Sequence, residues 1–134
     1  MIKKFWCTFV ISILVGLSIQ AQPKHEVRAV WLTTIGGLDW PHNYAQSERS
    51  RAKQQAELQA TLDQLQAAGV NTILLQTRIR GTVIYPSDYE PWDGCLSGIP
   101  GTSPGYDALQ FAIDECHKRG MAVQAWLVSI PVGK

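Results

Sequence analysis

The run Val70-Asn71-Thr72-Ile73-Leu74-Leu75-Gln76 constrains this chain more than any other feature. It is apolar at consecutive rather than alternate positions, so the strand it forms needs cover on both faces. Such strands belong to parallel sheets with helices packed on them, and the flanking sequence supplies the helices. Upstream, Val27-Arg28-Ala29-Val30-Trp31-Leu32-Thr33-Thr34 is rich in β-branched and aromatic residues and ends before Gly36-Gly37, which reads as a first strand. Between the two, from Ser47 to Ala68, the composition turns to Ala, Gln, Glu, Lys and Arg. Ala52, Ala56, Leu58, Leu62, Leu65 and Ala68 lie on one helical face, and Gly69 is the stop. The seam is short and Ala-rich, so a packing helix fits better than a coiled coil.

Downstream, Thr77 to Tyr106 shows no strong periodicity and is rich in Gly, Pro, Tyr and Trp. A loop of that length inside a domain points to function. Asp107 then caps a helix that runs to Arg119, with Gln110 placed as in a capping box. Ala108, Leu109, Ala112, Ile113 and Cys116 form its apolar stripe, His117, Lys118 and Arg119 suit its C-terminal dipole, and Gly120 ends it. Met121 to Val128 is the third strand.

Strand–helix–strand order with right-handed crossovers gives three adjacent parallel strands with two bare edges. Further strands are therefore expected past Lys134. The expected class is α/β, the first β-α-β-α-β portion of a (β/α)8 TIM barrel. A doubly wound open sheet is the competitor, but no G-x-G-x-x-G turn follows the first strand.

The N-terminus reads separately. Lys3 and Lys4 precede an apolar run from Phe5 to Ile19, and Ala21 offers a small residue for cleavage. That predicts a signal peptide over residues 1–21, a domain over 22–134, and export to the periplasm or beyond the cell. The alternative is an N-terminal membrane anchor, for which the run is short against the roughly 20 residues a span needs. Cys7 lies too early for a lipobox, and no integral membrane domain is expected after cleavage. Losing Lys3 and Lys4 leaves ten basic residues against 11 acidic ones. That balance, with no basic block, argues against nucleic acid as a partner. Cys95 and Cys116 remain, either paired in a disulfide or free, with Cys116 on the buried face of its helix.

The residues that carry chemistry should follow the strands, because the C-terminal ends of barrel strands build the active site. Arg78 and Arg80 stand two apart; in an extended stretch they point to one side and can hold a carboxylate or hydroxyls. The competing role for either is an internal ion pair that orders the long loop. Trp40, Tyr85, Trp92 and Trp126 can stack on sugar rings, while Trp31 reads as core. Asp39, Asp88, Glu90 and Asp93 are loop carboxylates, with no complete acid pair for glycosidic hydrolysis among them. His25, His42 and His117 are scattered without metal-ligand spacing, so neither a metal nor a cofactor is expected. The catalytic residues are not identifiable in this segment.

Four blocks, VRAVWLTTIGGLDWP (27–41), QTRIRGTVIYPSDYEPW (76–92), PGYDAL (104–109) and FAIDECHKRGMAVQAWL (111–127), resemble the glycosyl hydrolase-like 10 family. The resemblance implies a secreted or lipid-anchored bacterial glycoside hydrolase with a (β/α)8 barrel, of which the matched blocks form the first three strands. It implies a polysaccharide substrate, with peptide-free peptidoglycan glycan strands among those the family cleaves. Arg78, Arg80, Tyr85, Trp92 and Trp126 match family positions and are the expected substrate-binding residues. Family members often carry Asp where Thr82 stands and His where Gln124 stands. The acids are expected on later strands, so this segment alone is expected to be inactive. The rival reading is a non-catalytic glycan-binding or cell-envelope scaffold protein on the same barrel; a third is an α/β domain whose Trp residues are all core.

Overall fold

A computed structural model of the chain describes residues 26–132. The expected signal peptide lies outside the described residues. The elements are β1 (Ala29–Leu32), a 3-10 turn (Ile35–Gly37), α1 (Glu48–Ala67), β2 (Thr72–Arg80), β3 (Thr82–Val83), α2 (Gly94–Ser97), α3 (Ala108–Lys118) and β4 (Ala122–Val132). The fold is mixed α/β.

β2 is the central strand. It pairs in parallel with β1, from Ala29↔Thr72 to Leu32↔Leu75. On its other edge it pairs in parallel with β4, from Thr72↔Ala122 to Gln76↔Trp126 and on to Arg80↔Val132, with register shifts after Gln76 and after Arg78. β3 turns back antiparallel on the last residues of β2. The expected order of three adjacent parallel strands is the one observed.

Alternation along the strands decides the rest. Ile73 and Leu75 of β2, with Leu32 of β1, face a core shared with Leu58 and Leu62 of α1, Ala108, Ala112 and Cys116 of α3, and Met121. Both helices cover that one face, and they contact each other. The positions between, Trp31, Leu74, Gln76, Gln124 and Trp126, fall on the opposite, helix-free face. With Val30 and Leu32 turned to the helices, Trp31 is 58% exposed on this face and outside the core under the helices. It meets Trp126 edge to face, centroids 4.8 Å apart.

α1 begins at Ser47, whose hydroxyl accepts from Ser50 N while Ser50 Oγ returns the bond to Ser47 N. Its buried residues are Gln54, Leu58 and Leu62, whereas Ala52 and Ala56 of the expected seam are exposed. α3 is capped as expected, with the Asp107 carboxylate accepting from Gln110 N at 2.9 Å, but the Gln110 side chain turns to Asp114 instead of closing the box. Its buried stripe includes an acid, Glu115. Glu115 is held by Lys118 at 2.5 Å and by Arg119 at 2.8 Å; Arg119 also reaches Asp63 of α1 at 2.7 Å. A buried carboxylate is tolerated only with such partners.

Two boundaries differ from expectation. β2 does not stop at Gln76 but continues to Arg80, because β4 offers it an edge over that whole length. The presumed loop 77–106 therefore holds the end of a strand, a hairpin and a short helix. Arg80 (φ 56°) and Gly81 (φ 75°) both take left-handed backbone to make the tight turn into β3.

The Glu115 cluster sets a pH dependence. Lys118 and Arg119 hold its carboxyl down at about 2. A depressed folded value stabilises the fold above the unfolded value near 4.5, and the contribution is lost as pH falls toward about 2. Denaturation midpoints of Glu115→Gln should therefore lose part of the wild-type decline across that acid window; an unchanged decline would show that Glu115 is not its source.

Candidate functional site

The loops after β1 and β2 enclose a cleft of about 900 Å³. One wall is the 3-10 turn, Ile35 to Gly37, followed by Pro41, His42 and Tyr44. The other is the β2–β3 turn, with Ile79, Arg80 and Thr82, and the short helix region from Asp93 to Pro100.

One buried amide fixes these walls. Gln54, in the middle of α1, is fully buried. Its Nε2 donates to Asn43 O at 2.5 Å and to Leu96 O at 3.0 Å, and its Oε1 accepts from the Tyr106 hydroxyl at 2.6 Å. Its backbone carbonyl accepts from Trp40 Nε1 at 3.0 Å. The segment after β1, the short helix α2 and the segment before α3 thus meet on one side chain. Gln76 does the same at the end of β1, its Oε1 accepting from Thr33 Oγ1 (2.7 Å), Thr34 N (3.0 Å) and Ile35 N (2.9 Å).

The two arginines part company. Arg78 donates to Glu90 through Nε (2.8 Å) and Nη2 (2.5 Å), and through Nη1 to Val128 O at 2.7 Å. The pair raises the Arg78 pKa and lowers that of Glu90. Arg78 is thus the internal ion pair that ties the 85–92 loop to β2 and β4. Arg80 lines the cleft, exposed, and makes no ion pair among the described residues. The expectation that both point to one side fails because β2 bulges between Arg78 and Arg80 and the chain turns at Arg80.

The aromatic candidates also separate. Trp40 is fully buried and offers no face to a sugar. Trp92 is half-buried against the core, Tyr85 is half-exposed on the Arg78–Glu90 loop, and Trp126 lies on the helix-free face. Gln124 shares that face. Thr82 lines the cleft, its hydroxyl 2.5 Å from Asp93 Oδ2, while Asp93 Oδ1 accepts from Cys95 N at 2.7 Å. Asp93, the acid among the cleft-lining residues, is therefore engaged as a helix cap. Cys95 and Cys116 are free and buried, as in the second of the two alternatives above. Among the described residues no group of three or more His, Cys, Asp or Glu is placed to hold a metal ion. Gln76 stands with Arg78 and Arg80 among the residues at the exit of the second strand, whereas nothing in the sequence singles Gln54 out from the other glutamines of its helix.

A sequence profile of the glycosyl hydrolase-like 10 family matches residues 26–133. The chain is 44% identical over 110 residues to "Glycosyl hydrolase DigH" of Escherichia coli (strain K12), covering 78% of this chain and 25% of that protein. It is 39% identical over 119 residues to "Glycosyl hydrolase YngK" of Bacillus subtilis (strain 168), covering 89% of this chain and 22% of that one. The chain thus spans about a quarter of the length of these relatives.

Two outcomes follow from the cleft's geometry. Gln54→Ala strips acceptors and donors from three segments at once and should cost about 2–4 kcal/mol in chemical denaturation; a loss under about 0.5 kcal/mol would deny it this role. His42, paired through Nδ1 with Glu57, has its pKa raised above 6.5, chiefly by that hydrogen bond. NMR titration should return it toward 6.5 in Glu57→Gln.

Proposed function

The chain belongs to the glycosyl hydrolase-like 10 family, and on that premise we propose that the protein is an exported glycoside hydrolase acting on a polysaccharide, with peptide-free peptidoglycan glycan strands as the substrate. This segment is the opening β-α-β-α-β portion of a (β/α)8 barrel. Parallel order β1–β2–β4 with both helices on one face supports that reading, since a barrel needs its helices outside and its strand ends together.

The observation that carries the proposal is the cleft beyond β1 and β2, with Arg80 in its wall and no carboxylate paired to that guanidinium among the described residues. An uncompensated guanidinium at the mouth of a groove is a forked donor for hydroxyls or a carboxylate. Trp126 lies on the face that a closed barrel turns inward, one residue past the level at which β1 ends, so at the barrel's C-terminal mouth its ring can meet the C–H patches of a pyranose. Arg78 acts through Glu90 by holding the loop that carries Tyr85 and Trp92.

Hydrolysis needs two carboxylates flanking the scissile bond, one to protonate the leaving oxygen and one to act as nucleophile or to activate water. We assign that pair to later strands. The second reading, a glycan-binding scaffold without turnover, is favoured by Thr82 and Gln124, which stand where members of the family often carry Asp and His.

The full-length protein, incubated with peptide-free glycan strands, should release new reducing ends. Trp126→Ala should lower kcat/KM about tenfold, the scale of one lost stacking contact. Binding without bond cleavage would replace the hydrolase with the scaffold; no binding would remove both.

A further inference from the structure

The two ends of the Gln76 side chain have different fates. Its oxygen is saturated by Thr33 Oγ1, Thr34 N and Ile35 N. Two of these are backbone N–H groups, which can only donate, so the oxygen must sit there and the NH2 must point away. The chain itself fixes this orientation. Gln76 is 2% exposed, yet nothing among the described residues accepts from its Nε2. Every fully buried side-chain nitrogen and oxygen among them has a partner. The sliver of Gln76 that solvent reaches is therefore its NH2 end. Strand alternation puts that end on the helix-free face, since Ile73 and Leu75 fill the core on the other side. The β2–β4 register sets it directly opposite Trp126, which touches Trp31.

We propose that Gln76 is a substrate-binding residue: its Nε2 donates to an exocyclic oxygen of the sugar whose C–H face rests on Trp126. The inference builds on the glycan-processing reading above and adds a residue and an atom to it. A donor locked in direction costs little to organise when the ligand arrives. A nearly buried donor without an acceptor is costly to leave unmet, which suits it to discriminate between ligands that carry an oxygen there and those that do not. The same carbonyl anchors the turn that lines the cleft, so one side chain links the cleft wall to the aromatic face.

The test uses the full-length protein, with peptide-free peptidoglycan strands and chitin oligosaccharides as probes. Gln76→Glu keeps an oxygen for Thr33, Thr34 and Ile35 but removes the NH2. It should fold with a melting temperature within a few degrees of wild type and bind the probes about tenfold more weakly. In wild type, the Gln76 side-chain NH2 pair in a 15N–1H spectrum should shift on titration with the probes, a response that a purely structural role would not produce. If Trp fluorescence responds to the glycans while the NH2 pair stays put, the NH2 is satisfied inside the protein and the proposal fails alone. If neither responds, the glycan reading fails with it. Should Gln76→Glu not fold, the wild-type titration decides, with the pair assigned by its proximity to Thr33 and Thr34.

Discussion

The pairing of β2 on both edges is the constraint from which the other features descend. A strand held in parallel by β1 and β4 cannot slip by one residue without exchanging Ile73 and Leu75 for Leu74 and Gln76 against the helices. That would put an amide in the apolar core and two aliphatic side chains outside it. The register is therefore fixed by side-chain chemistry, and it places Trp126 beside Gln76 and Trp31 in line with Leu74 and Gln124. The core on one face and the aromatic surface on the other are two consequences of a single alignment.

Within that frame, buried amides do the joining that apolar contacts cannot. Loops bring backbone N–H and C=O groups inward, and each must find a partner. Gln54 meets Asn43, Leu96 and Tyr106; Gln76 meets Thr33, Thr34 and Ile35. Glutamine suits both positions because it carries no charge to desolvate; Gln54 both donates and accepts within the chain, while Gln76 uses its oxygen alone. Arg119 does comparable work between helices, where the partners are carboxylates.

Much of the backbone was legible in the sequence because its signals are local. The Asp107 cap, the glycines after the two long helices and the apolar run of β2 each depend on a few neighbouring residues. The extension of β2 to Arg80 was not legible, since it depends on β4 lying alongside, a contact between residues some 50 positions apart. The same holds for the site. That Arg80 and Trp126 lie near strand ends could be read from type and position. That Arg78 would be claimed by Glu90 and that Trp40 would vanish into the core both depend on which face or loop arrives opposite. Gln76 was legible as a strand-exit residue but not as the anchor of the Thr33–Ile35 turn, and Gln54 is one of five glutamines in its helix with no motif to mark it.

The thiols of Cys95 and Cys116 are both free and buried. Burial raises both pKa values, that of Cys116 to about 11. Thiol–disulfide exchange proceeds through the thiolate, which is scarce under those conditions. Burial thus gives each of these two sulfurs a slow route to exchange, whatever thiol or disulfide surrounds the folded domain.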